Sequence, residues 1–184
     1  MMEESSLYGP VATTVWRNLA RVKLLICDVD GVLSDGNIYL GNQGEEYKTF
    51  NTKDGFGIKA LQNANITVAI ITGRHSNIVA ERMQSLGVQH VYQGQSDKMQ
   101  AYQTLLNDLT LTPEQVAYIG DDVVDLPVMQ DCALGVAVAD AHPQVRQQAD
   151  YVTRLKGGRG AVRELCDLIL EAQGVLAQAQ GMSV

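Results

Sequence analysis

Two aspartates, Asp28 and Asp30, stand two residues apart where the apolar run Leu24-Leu25-Ile26-Cys27 gives way to a polar loop and Gly31. Side chains two apart on an extended chain share a face, roughly 6–7 Å apart at ~3.3 Å per residue, and two carboxylates so placed repel each other unless a cation lies between them. One acid at a strand end could cap a helix. Two on one face ask for positive charge. Further along come Thr72-Gly73-Arg74 after a second apolar run, then Lys98, then Gly120-Asp121-Asp122 with Asp125 three residues on.

Acids gathered on one edge are stable when they share a cation. Hard oxygen ligands suit Mg²⁺, which keeps waters and a substrate phosphate in its shell. No His or Cys stands at ligand spacing, which argues against zinc. A carboxylate beside Mg²⁺ can attack phosphorus and form an aspartyl-phosphate. A second carboxylate two residues later can protonate the leaving oxygen and then deprotonate the attacking water. Phosphoryl transfer also needs its equatorial charge neutralised, for which Thr72 offers a hydrogen bond and Lys98 a charge. Each member alone has a plainer reading. Asp121 and Asp122 could cap a helix, Thr72 could simply end a strand, and Lys98 could be a solvated surface lysine. The set in this order is far more specific than any member.

The elements that must position these residues are legible in the apolar pattern. Short apolar runs at 22–27, 67–72, 89–92, 116–119, 134–138 and 151–153 read as strands. Between them, 54–65, 76–86, 97–109, 124–131, 143–149 and 161–171 read as helices, with Ser76 and Asp97 at helix starts, Gly87 as a stop, and Thr112 capping a further helical turn that Pro113 opens. Turn signals at Asp35-Gly36 and Gly41–Gly44 put a hairpin on about residues 36–50. This alternation implies an α/β fold, a doubly wound, Rossmann-like and mostly parallel sheet. In such sheets ligands bind beyond the carboxyl ends of the strands, and every candidate polar group falls at such an end. The expected organisation is an N-terminal extension over 1–21, one domain over 22–173 and a flexible tail over 174–184.

The chain has 184 residues, 46% of them hydrophobic and 19% charged, which suits one domain with a full core. A net charge of −7 argues against nucleic acid and anionic membrane as partners, so an anionic substrate needs a locally basic site. Cys27, Cys132 and Cys166 are scattered and odd in number, which suggests a reducing compartment. No signal-peptide pattern or long apolar run interrupts the chain, so a cytoplasmic location is expected.

Taken together, DVDGVLSDG, IITGR, Lys98 and GDDVVD resemble the four motifs of the haloacid dehalogenase superfamily of phosphatases. The resemblance implies Asp28 as nucleophile, Asp30 as acid/base, and Thr72 and Lys98 as holders of the phosphoryl group. It implies Mg²⁺ held by the Asp28 carboxylate, the Asp30 main-chain carbonyl and Asp121, with Asp122 and Asp125 orienting the metal shell. About 43 residues separate Asp28 from Thr72 and about 25 separate Thr72 from Lys98, too few for a folded cap domain.

A closer similarity, in YLGNQGEEYKTFNTKDGFGIK, TGRHS and GGRGAVRE, is to the 3-deoxy-D-manno-octulosonate 8-phosphate phosphatase family of lipopolysaccharide precursor synthesis. It implies a homotetramer in which hairpins meet and neighbouring chains help close each site. An exposed hairpin edge that needs covering argues the same way. The resemblance further implies that the sugar-phosphate substrate is met by Asn51, Thr52, Lys53, Asp54, Gly55, Lys59, Gly73, Arg74, Arg82 and Lys98. Such a substrate carries a phosphate and a carboxylate, so it needs two cationic regions. Lys98 would serve the first and Lys53, Lys59, Arg74 and Arg82 the second. Arg74 and Arg82, eight apart, share a face, although Arg82 alone could be a solvated helix residue. Gly157-Gly158-Arg159 is either a helix lead-in or a segment that brings Arg159 to a substrate. Two other readings stand beside this one: a phosphatase for a related nine-carbon sugar acid phosphate, and a receiver-like phospho-acceptor domain. Asp30 disfavours the second, because a receiver needs its phosphoaspartate to persist.

Overall fold

The computed structural model describes residues 2–179. In chain order the elements are β1 (Glu3–Ser6), β2 (Gly9–Ala12), α1 (Thr13–Leu19), β3 (Leu24–Cys27), β4 (Tyr39–Leu40), β5 (Glu46–Tyr47), α2 (Thr52–Asn63), β6 (Thr67–Ile71), α3 (Asn77–Leu86) and β7 (His90–Tyr92). They continue with α4 (Lys98–Leu109), β8 (Val116–Gly120), α5 (Leu126–Asp131), β9 (Leu134–Ala137), α6 (Pro143–Gln148), β10 (Tyr151–Val152) and α7 (Ala161–Ala172).

Six strands form one parallel sheet in the order β10-β9-β8-β3-β6-β7. Every residue of β3 is fully buried, as expected of a central strand covered on both faces. From β3 the chain winds outward through β6 to β7, then returns to the other side of β3 and winds out through β8 and β9 to β10. The winding therefore reverses between β3 and β8, the place where doubly wound sheets open a crevice. The register sharpens this. Cys27 pairs with Ile70 on β6 and with Ile119 on β8, and the Asp28 N–H continues the ladder to the Ile119 carbonyl at 3.1 Å. Asp28, Thr72 and Asp121 thus leave three adjacent strands at nearly one level.

The helices cover both faces. The α1 and α2 helices pack on α7, and α5 packs against α4 and α6. The expected alternation of strand and helix is present, with boundaries moved by a residue or two. The α2 helix starts at Thr52 rather than Asp54 because Asn51 caps it, its side chain accepting the Lys53 N–H at 2.9 Å.

The N-terminal segment set apart as an extension joins the same core. The β1/β2 hairpin and α1 bury Val11, Val15 and Leu19. The Tyr8 hydroxyl donates to Asp167 Oδ2 on α7 at 2.8 Å, and the Leu7 N–H donates to Glu171 Oε2. At the other end, Val175, Leu176 and Ala179 pack on the core, while residues 180–184 of the expected tail lie outside the described residues.

Between Asp28 and Thr72 the chain is occupied by the short β4/β5 hairpin and α2, so nothing among the described residues folds separately over the sheet edge. The hairpin leaves Tyr39, Leu40 and Tyr47 exposed. Among the described residues no helix is long and apolar enough to cross a membrane.

Candidate active site

A cleft of about 270 Å³ opens at the crevice between β3 and β8 and is lined by Asp28, Asp30, Thr72, Gly73, Arg74, Gln95, Ser96, Lys98, Asp121, Asp122 and Val124. Its floor is built around Asp125, which is fully buried. Asp125 Oδ1 accepts from Lys98 Nζ at 2.6 Å and from the Tyr118 hydroxyl at 2.6 Å. Its Oδ2 accepts the backbone N–H groups of Asp121 at 3.0 Å and Asp122 at 3.1 Å. A carboxylate with four donors is satisfied where it stands and fixes the Gly120–Asp125 turn. A side chain at Gly120 would run into Asp125. Asp122 and Asp125 also form a reciprocal capping box, so the capping reading of this motif and its site role coexist.

Lys98, buried at the start of α4 behind its Asp97 cap, reaches Asp28 Oδ1 at 3.0 Å as well as Asp125. Burial disfavours its ammonium, but Asp28 and Asp125 outweigh burial and leave its pKa raised. It is a constitutive cation, not a solvated surface lysine. Burial pushes the Asp28 carboxyl up to about 6 against the pull of Lys98. Asp121 is pushed up to about 8, by burial first and then by Asp28 and Asp125.

These acids are held together against their repulsion. One oxygen from each of Asp28, Asp121 and Asp125 lies within 4.8 Å of the others. With both Asp125 oxygens already engaged, Asp28 and Asp121 are the pair left to hold a hard divalent cation, and an all-oxygen donor set fits Mg²⁺. Gly31 lets them meet. Its φ is +88°, and a Cβ there would collide with the Asp121 carboxylate.

From behind the cleft, the hairpin residues Lys48 and Glu46 reach two of its lining side chains, Asp30 and Arg74. Lys48 Nζ donates to Asp30 Oδ1 at 2.5 Å, and Arg74 Nε stands 3.9 Å from Asp30 Oδ2. Glu46 lies 3.8 Å from Lys48 and 3.6 Å from Arg74.

The structure gathers Asp28, Asp30, Thr72, Gly73, Arg74, Lys98, Asp121 and Asp122 on the cleft, with Asp125 beneath it. It places other expected contacts elsewhere. Asn51 is the cap of α2, and Thr52 and Lys53 are exposed on its first turn. Asp54 is buried, its Oδ1 accepting the Arg163 N–H of α7 at 2.9 Å, and Gly55 is buried beside it in the helix. Lys59 lies about two turns into α2, its Nζ beside Gly87. Arg82 on α3 has a buried Nε with no partner among the described residues. Arg159 pairs with Asp35 at 3.6 Å and is otherwise exposed. None of these eight lines this chain's cleft.

Sequence reasoning missed Glu46, Lys48, Gln95, Ser96, Tyr118 and Val124. Glu46 and Lys48, two apart in the stretch expected to form the hairpin and so on one face if extended, carried a signal that could have been read. Tyr118 sits in an apolar strand and reads as core.

Residues 84–165 match the model of a family of haloacid dehalogenase-like hydrolases. The chain is 60% identical over 177 residues to the 3-deoxy-D-manno-octulosonate 8-phosphate phosphatase of Yersinia pestis, covering 96% of this chain and 95% of that one. A crystal structure of a Yersinia pestis phosphatase of the same description superimposes with a TM-score of 0.98 at 58% identity, covering 100% of this chain and 99% of that one. The phosphatase from Moraxella catarrhalis, solved with a magnesium ion, a phosphate ion and a KDO molecule, matches with a TM-score of 0.89 at 41% identity, covering 91% and 97%.

Proposed function

The chain belongs to the 3-deoxy-D-manno-octulosonate 8-phosphate phosphatase family of haloacid dehalogenase-like hydrolases, and we propose that it hydrolyses this eight-carbon sugar acid phosphate to the free sugar acid and inorganic phosphate. The observation that carries the reading is the Asp28 carboxylate. It is buried, held 3.0 Å from Lys98, grouped with Asp121, and shares its cleft with Asp30.

Asp28 attacks phosphorus as the bond to the sugar oxygen breaks. Asp30 gives that oxygen its proton, then takes one from the water that cleaves the aspartyl-phosphate. Lys98 steadies Asp28 and faces the phosphoryl oxygens together with Thr72. Asp28, Asp121 and the Asp30 carbonyl would hold Mg²⁺, which when bound supplies positive charge that screens the attacking carboxylate from the phosphate. Asp122 and Asp125 keep the turn that presents Asp121.

Of the cations expected at the sugar-acid end, Arg74 alone lines its own chain's cleft. The reading therefore includes a homotetramer, in which a neighbouring copy completes that end and the exposed Tyr39, Leu40 and Tyr47 are covered. It also places the protein in the reducing cytoplasm, in keeping with three buried free cysteines.

The test is phosphate release by the purified protein across a panel of sugar phosphates, nine-carbon acids included. The eight-carbon acid should be preferred at least ten-fold, and a chelator or Asp28→Asn should abolish release. Comparable rates across the panel would sink the substrate assignment, and a nine-carbon preference would replace it. Unchanged release by Asp28→Asn would sink the covalent mechanism.

A further inference from the structure

Asp30 has a partner that the phosphatase motifs do not assign. Lys48, 18 residues on and just past β5, puts Nζ 2.5 Å from Asp30 Oδ1. Its side chain is 0% exposed, whereas that of Arg74, the other cation near Asp30, is 51% exposed. The difference decides their roles. Arg74 can meet a substrate in the cleft, but Lys48 is sealed off and can act only through what it touches. It touches Asp30 and, at 3.8 Å, Glu46 Oε1, whose other oxygen lies 3.6 Å from Arg74 Nη2. Two carboxylates and two cations thus close a ring that ties the hairpin to the loops after β3 and β6. A buried ammonium is costly unless it is paired in this way.

We propose that Lys48 is a positioning residue for the acid/base carboxyl of Asp30. Its hydrogen bond occupies one Asp30 oxygen and fixes the carboxyl rotation, so that the other oxygen carries the proton. The inference rests on the phosphatase reading above. In the first half-reaction a bond forms between Asp28 and phosphorus, the bond from phosphorus to the substrate oxygen breaks, and that oxygen takes the Asp30 proton. In the second, water bonds to phosphorus, the bond to Asp28 breaks, and the water's proton returns to Asp30. Lys48 keeps its own protons throughout.

Leaving-group dependence tests this. A simple alkyl phosphate, with no sugar hydroxyl or carboxylate, needs the Asp30 proton to leave, while p-nitrophenyl phosphate does not. For Lys48→Met, kcat/KM on the alkyl phosphate should fall ~100-fold, the low end of a general-acid contribution, and on p-nitrophenyl phosphate by less than about 3-fold. Lys48→Arg should restore most of the loss. Equal losses on both substrates would show a merely structural lysine and overturn the proposal, as would no loss on either. If the unaltered protein released no phosphate from the eight-carbon substrate, the phosphatase reading would be at fault instead.

Discussion

Lys98 and Asp125 form a buried ion pair at 2.6 Å, and the same lysine reaches Asp28 at 3.0 Å. One cation thus stands between the expected nucleophile and the carboxylate that braces the turn after β8. Asp125 touches no open part of the cleft, yet it positions Lys98 from one oxygen and the Asp121 and Asp122 backbone from the other.

Asp125→Ala should therefore be among the most damaging single changes in the molecule. It takes from a buried lysine the nearer of its two carboxylates and leaves a tyrosine hydroxyl and two backbone N–H groups without their acceptor, and loss of one partner of a buried pair costs about 3–5 kcal/mol. Tyr118→Phe, which removes only the hydroxyl that shares Asp125 Oδ1, should cost about 1 kcal/mol. Urea unfolding of both variants with chelator present measures the difference. Similar small costs for the two would show that Asp125 does not organise the site.

Mg²⁺ should stabilise the folded protein through Asp28 and Asp121. At a hundred times its dissociation constant a bound ion adds about 2.7 kcal/mol, read as a rise in the thermal unfolding midpoint that a chelator reverses. Asp121→Asn should lose most of this rise while folding normally without metal, since burial and its acidic neighbours already disfavour the charged form of Asp121. An undiminished rise in that variant would remove Asp121 from the ligand set.

Gly31→Ala tests the close approach of the β3 loop to Asp121. The added methyl meets the Asp121 carboxylate, and the left-handed backbone at φ +88° penalises any Cβ. A stability loss of about 1–3 kcal/mol is expected, with a higher Mg²⁺ concentration needed for half-maximal activity. Alanine at Gly44, where φ is +91° and nothing lies within 4 Å, should share the backbone penalty and leave the Mg²⁺ requirement unchanged. Equal Mg²⁺ requirements for the two variants would refute the steric account.

What was legible in the sequence divides by range. Asp28, Thr72 and Asp121 were legible because each follows an apolar run, and a parallel sheet brings strand ends to one edge whatever their separation along the chain. Lys98 was legible as a charge at a helix start, but not as a buried one. Lys48 and Glu46 were not singled out, because charges on a short exposed hairpin look solvated. Their partners, Asp30 and Arg74, are reached only when the hairpin folds back over the sheet edge. The N-terminal hairpin was hidden by the polar Glu3–Ser6 strand, although Val11, Val15 and Leu19 already repeat at helix-like spacing. The family resemblance implies Asp54 as a substrate contact, yet its carboxylate meets α7 at Arg163, 109 residues further on.

That contact carries a pH dependence of its own. The N-cap position of α7, Gly160, has no side chain, and Asp54 on α2 supplies the missing acceptor to the Arg163 N–H. Burial pushes the Asp54 carboxyl up to about 6, with the N–H groups at the start of α7 pulling the other way, and Oδ2 is buried with no hydrogen-bond partner among the described residues. A carboxyl that ionises less readily folded than unfolded stabilises the fold in its protonated form. Its contribution is complete below about pH 4, falls as pH rises through about 6, and is flat beyond. Asn keeps an acceptor for the Arg163 N–H and cannot ionise. The stability of Asp54→Asn relative to the unaltered protein should therefore rise by about 2–3 kcal/mol between pH 4 and pH 7. Urea unfolding of both proteins across that range, with chelator present, measures the difference. A pH-independent difference would mean that Asp54 is charged at the helix start throughout, held there by the helix dipole rather than disfavoured by burial.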